Sequence, residues 1–158
     1  MKVLLDTSYI LPVFGVDVDV PDVRGQLLHL SRKATLLVNS LSILEAKWVV
    51  LKLSKKCPEV LDSFRSGLEL VVRGKDFSVV PFHLPEIDFI ATGVYVHHRD
   101  YIDCSILASA YVEADILVTL EAGRMRELAE LLHYKYPDYR KPSSRLVVAT
   151  LSEALKML

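Results

Sequence analysis

The sequence holds only two cysteines, Cys57 and Cys104. Nothing at its start has the form of a secretion signal, because Asp6 interrupts the first apolar run before a long hydrophobic segment can build. A disulfide-stapled secreted scaffold is therefore not expected, and the default is a reduced, cytoplasmic protein. Long apolar runs are missing too. Crossing a bilayer takes about 20 consecutive apolar residues, and the most apolar windows are broken by Glu45, Lys47, Lys52 or Asp103. No membrane partner is expected. The chain has no internal repeat, low-complexity tract or Gly/Ser linker, which removes repeat architectures and flexibly tethered modules. A surplus of one charge is absent as well: 19 Lys and Arg stand against 20 Asp and Glu, a net charge of −1. No global basic field steers nucleic acid to this chain, although a local basic patch would be hidden in that sum.

What is present is an ordinary globular composition, 51% hydrophobic and 25% charged over 158 residues. That length suits one hydrophobic core, so residues 1–158 are expected to form one domain. Short β-branched and leucine runs at 2–5, 36–38, 77–80, 116–119 and 146–149 read as strands. Between them lie segments of helical period at about 22–32, 40–56, 58–74, 85–97, 101–114 and 122–134. Asp22, Asn39 or Ser40, and Asp100 are the expected N-caps, while 151–158 reads as a short amphipathic helix or a strand-to-helix tail. The alternation predicts an α/β protein with a mainly parallel sheet.

Acids fall at informative places. Asp6 ends the first apolar run and Glu121 follows the fourth, so a parallel sheet would deliver both to the edge where such sheets bind ligands. Each has a plain alternative as a helix-terminus acid. Glu45, with Leu41, Trp48 and Val49 one turn away, is expected to interrupt an apolar face and to need a cation, either Lys52 or a shared metal. Asp103 heads a stripe of Ile106, Leu107 and Ala110, while Asp100, one turn earlier, is explained by capping. Oxygen ligands without supporting His or Cys favour a hard ion, Mg²⁺ or Mn²⁺, over zinc. Such ions activate water and stabilise charge on phosphoryl oxygens.

Four stretches, LLDTSYIL around Asp6, LSILEAKW around Glu45, RDYIDCSILASA around Asp103 and ADILVTLEAG around Glu121, make the chain resemble the PIN-domain ribonucleases, which include the toxin halves of VapBC toxin–antitoxin pairs. The resemblance implies a three-layer α/β/α fold and hydrolysis of RNA phosphodiester bonds. It implies a catalytic set Asp6, Glu45, Asp103 and Glu121, with Mg²⁺ or Mn²⁺ on Asp6, Asp103 and Glu121. It also implies an antitoxin partner and a homodimer, for which the apolar helix from Ser40 to Leu53 offers a surface. Thr7, Thr119 and Arg124 are candidates to hold the substrate or the acids, with Ser8 and Arg126 beside them. Where the family commonly has Thr, a polar residue and Asp, this chain has Thr119, Leu120 and Glu121.

Other readings remain. A haloacid-dehalogenase-like phosphatase would need a second Asp two places after the first, and Ser8 occupies that place. A PIN domain with a weakened site would bind RNA or protein without cutting, and Leu120 with Glu121 would be its signature. His97 and His98 read most simply as favourable charges at a helix C-terminus, and Cys104 as core. The segment from His133 to Arg145 interleaves three tyrosines with Lys135, Arg140, Lys141 and Arg145. It is either a single-strand RNA contact or a surface loop whose tyrosines pack down.

Overall fold

The computed structural model describes residues 1–142 and 144–158. Five strands, β1 (Lys2–Leu5), β2 (Thr35–Asn39), β3 (Phe77–Val80), β4 (Ile116–Val118) and β5 (Val147–Ala149), form one sheet in the order β3-β2-β1-β4-β5. Every pairing is parallel. The strands agree with the apolar runs to within one residue at each end. Such runs are what a sheet covered on both faces demands.

The helices are α1 (Thr7–Ile10), α2 (Val23–Ser31), α3 (Ser40–Leu53), α4 (Val60–Arg73), α5 (Pro85–Tyr95), α6 (Tyr101–Glu113), α7 (Ala122–Lys135) and α8 (Leu151–Met157). Side chains alternate between two cores, as the pleat requires. Leu4, Leu37, Leu117 and Val148 point to the layer of α5, α6 and α7. Val3, Leu5, Leu36, Val38, Ile116, Val118 and Ala149 point to the layer of α1, α2, α3, α4 and α8. The result is the expected three-layer α/β/α arrangement.

Caps fix where helices begin. Asp22, Asn39 and Asp100 act as N-caps of α2, α3 and α6, and Thr150 with Glu153 forms a capping box that makes the chain end a helix. Asn39 has a second function. Fully buried, its amide nitrogen donates to Ser109 Oγ at 2.6 Å and to Ser105 Oγ at 3.3 Å, while its oxygen accepts from Leu41 N at 2.7 Å. The end of β2 is thereby locked to α6, the helix that carries Asp103. The helix that the Asp6 capping alternative requires is present as α1, capped by Asp6 itself, and a 3₁₀ turn at Leu11–Phe14 follows it directly. They are too short to show a helical period, and Gly15 closes them at φ 84°.

Candidate active site

The chain builds β1, β2 and β3 outward on one side, then returns to lay β4 and β5 on the other. The carboxyl ends of β1 and β4 therefore flank the point where strand order reverses, the crevice in which open α/β sheets bind ligands. Asp6 stands there. Its N–H donates to Val118 O at 2.9 Å, its Oδ1 accepts from Thr7 N at 2.6 Å, and its Oδ2 accepts from Thr119 Oγ1 at 2.8 Å and Ser8 Oγ at 3.1 Å. The carboxylate thus caps α1 and also ties β1 to the end of β4. Burial pushes the Asp6 carboxyl above its ordinary range. The bonds from Thr119, Thr7 and Ser8 pull it down without cancelling that effect, and the negative Glu121 pushes it further up.

Asp103 lies in the first turn of α6, half-buried, one turn after Asp100, whose Oδ1 accepts from Ile102 N at 2.9 Å and Asp103 N at 3.3 Å. Its Oδ2 is 2.8 Å from His98 Nε2. Burial raises the Asp103 carboxyl, the bond from His98 opposes this, and the charges of Asp100 and Asp6 raise it further. Asp6 and Asp103 are therefore close enough to repel one another. His98 is more than a charge at a helix end: its ring touches this acid, and its carbonyl accepts from Cys104 Sγ at 3.1 Å. Cys104 is core, its thiol pushed up to about 12, chiefly by burial.

Of the remaining acids, Glu121 is near enough to push the Asp6 carboxyl up and Glu45 is not. Glu121 is exposed ahead of α7, and its side chain caps nothing there. Glu45 is half-buried, but the buried face of α3 is Ser42, Ala46 and Val50, and Trp48 is 49% exposed. Glu45 therefore lies at the margin of the helix rather than inside an apolar face, and the demand for a buried cation lapses. It is not among the acids that shift Asp6 or Asp103. Thr7 and Thr119 are 6% and 1% exposed, too deep to meet a polymer at the surface. Thr119 serves Asp6 and accepts from Glu121 N at 3.1 Å. Arg124 is at the surface and donates to His97 O and Glu127. Arg126 is tied down instead, to Val148 O and Glu153.

Among the described residues, no three of His, Cys, Asp and Glu stand close enough together to enclose a metal ion. The donors nonetheless fit one kind of ion. The charge of Glu121 bears on Asp6 and that of Asp6 on Asp103, and the Thr7 hydroxyl is buried beside Asp6 with no partner among the described residues. That set matches a hard divalent cation held by one or two carboxylates and otherwise by water and phosphate oxygens, which is the usual habit of Mg²⁺.

The segment from His133 to Arg145, of which Ser143 lies outside the described residues, follows the plainer of its two readings only from Tyr136 onward, since 133–135 end α7 and Tyr134 is 86% exposed. Tyr136 and Tyr139 pack on Phe89, Arg140 donates to Tyr111 O and Ala114 O, Lys141 pairs with Glu113, and Arg145 pairs with Glu130. Arg140 is occupied in holding the fold together, while Lys141 and Arg145 are paired with acids at the surface.

An open parallel α/β/α protein with an acid pair at its switch point is the class that these features define. The PIN domain family model matches residues 3–131, and the chain belongs to the PIN-domain family. Among solved structures it is similar to the crystal structure of VapBC2 from Rickettsia felis bound to a DNA fragment from their promoter. The TM-score is 0.58 with 17% sequence identity, over 94% of this chain and 97% of that one, which is a likeness of fold. No curated protein matches the sequence.

Proposed function

We propose that this chain is a Mg²⁺- or Mn²⁺-dependent endoribonuclease formed by residues 1–158 as one domain. The observation that carries the proposal is the pairing of Asp6 and Asp103 at the switch point, both raised by burial and by neighbouring negative charge. Carboxylates left in that condition favour a cation. Asp6 and Asp103 would hold the ion, with Glu121 at its exposed rim and Glu45 a more distant acid. Bound there, a divalent ion supplies charge stabilisation at a phosphoryl oxygen. Thr119, Ser8 and the Thr7 N–H fix the Asp6 carboxylate, and His98 fixes one oxygen of Asp103. Arg124, at the surface beside this edge, is suited to a backbone phosphate of RNA.

The likeness to a VapBC structure supports the further reading that this chain is a toxin with an antitoxin partner in the cytoplasm. Leu44, Trp48 and Leu51 repeat along the exposed side of α3 and suit pairing into a homodimer. A second reading, a PIN domain that binds RNA or protein without cutting, has one observation in its favour: Glu121 is exposed and follows Leu120, itself 48% exposed. Incubation of end-labelled RNA with the purified protein separates the two. The ribonuclease should cut with Mg²⁺ or Mn²⁺, stop in chelator and be inactive as Asp6→Asn. Absence of cutting with either metal, at protein in excess over RNA, would leave only the binding reading.

A further inference from the structure

We infer that residues 97–99, together with Arg124 and Lys135 of α7, form the track along which the RNA backbone runs away from the acids. The inference rests on the ribonuclease reading and adds to it a direction and a set of contacts. His97, His98 and Arg99 make up the turn between α5 and α6. The His97 carbonyl accepts from Arg124 Nη2 at 2.8 Å, and its Nε2 lies 3.1 Å from Lys135 Nζ. An ammonium can only donate, so this nitrogen of His97 is the acceptor. One residue thereby brackets two cations of α7. Eleven positions separate them, about three helical turns, so they share a face of α7 with their Cα atoms about 16 Å apart. Their charged ends converge on His97, which sets them side by side for neighbouring phosphates of a strand.

The same turn reaches the acids. His98 contacts Asp103, so the turn that carries Arg99 begins at the crevice. Arg99 is exposed and pairs with no carboxylate among the described residues. Glu127 shares the Arg124 guanidinium at 2.8 Å, but exposed ion pairs of this kind contribute little and exchange readily for phosphate. Arg99, Arg124 and Lys135 are thus the cations that this turn and α7 bring together.

The test is anisotropy of a fluorescein-labelled single-stranded RNA, in chelator so that it is not cut, over a range of salt. It compares the wild type, Arg99→Gln/Lys135→Gln, and Lys55→Gln/Lys56→Gln beyond the far end of α3 as a control. Each phosphate contact on a single strand contributes about 0.7 to the slope of log K against log salt. The track variant should therefore bind more weakly, with a slope shallower by about 1.4, while the control keeps the wild-type slope. A wild type that cuts RNA while all three proteins share one slope would overturn the track alone. A wild type that neither binds nor cuts RNA would overturn the track and the ribonuclease reading together.

Discussion

Replacing Asp6 by Asn should make the metal-free protein more stable while removing its capacity to hold an ion. The amide keeps the shape and the carbonyl that accepts from Thr7 N, and Asn caps a helix as well as Asp does. What changes is Oδ2, where Thr119 and Ser8 lose a charged acceptor. Hydrogen bonds to charged groups contribute about 1 kcal/mol more than neutral ones, so the two losses cost about 2 kcal/mol. Against this stands the desolvation of a partly buried carboxylate, worth several kcal/mol, and its repulsion by Glu121. The Asp6 carboxyl is displaced upward on balance, so the penalty is the larger side. Each kcal/mol of net gain would raise the melting temperature by about 2–4 °C in a protein of this size, and about 1.4 kcal/mol is a tenfold change in the folding equilibrium.

The sign of the pH dependence follows. A carboxyl raised in the folded state binds its proton more tightly there than in the unfolded chain. Its contribution to stability is therefore present at low pH and lost as pH rises through the folded pKa. The advantage of Asp6→Asn should appear at neutral pH and vanish below the ordinary carboxylate range, near about pH 3.5. Thermal melts by circular dichroism in chelator at both pH values check this, with Asp6→Ala, which loses the cap, as the destabilised reference. If Asp6→Asn melts as far below wild type at neutral pH as Asp6→Ala does, the carboxylate is favourable where it stands, and the electrostatic reasoning is wrong.

Asp103→Asn should abolish RNA cleavage, whereas Glu121→Gln and Glu45→Gln, at the rim and margin of the site, should retain part of it. Asp100→Asn, a like-for-like cap, should fold normally, and cleavage rates with melting curves rank the four. His98→Ala should weaken Mn²⁺ binding by about tenfold, the lower end of what loss of a ligand's hydrogen-bond partner costs, and His98→Gln should recover part of it. A rise in affinity would show instead that His98 competes with the metal. Gly15→Ala should lower stability by about 1–3 kcal/mol, because φ is 84° and the new Cβ would stand 2.4 Å from Ser63 Cβ. Melting temperature reads it directly.

The sheet was legible because parallel strands read as short apolar or β-branched runs, and those at 2–5 and 77–80 matched residue for residue even though Lys2 and Ser78 interrupt them and are exposed. Asp6 could be assigned to a functional edge once the strands were read as parallel, since its place follows from chain order alone. Other residues carried no such signal. His98 meets Asp103 across a turn between two helices, five positions away, where neither helical nor strand period predicts contact. Glu45 was misplaced because Trp48 is apolar in type yet half exposed, so the apolar stripe of α3 is not the stripe it buries. Thr7 and Thr119 could be read in sequence as holding either the substrate or the acids, and their burial leaves only the second, because the strand ends they follow are themselves covered.

Mn²⁺ titration tests the central claim, that Asp6 and Asp103 together hold a divalent ion at the switch point. Free Mn²⁺ is followed by electron paramagnetic resonance as protein is added, for the wild type and the Asp6→Asn/Asp103→Asn double variant, each checked for folding by circular dichroism. The account predicts saturable Mn²⁺ uptake by the wild type and none by a folded double variant. Equal uptake by both proteins, or none by the wild type, would contradict it.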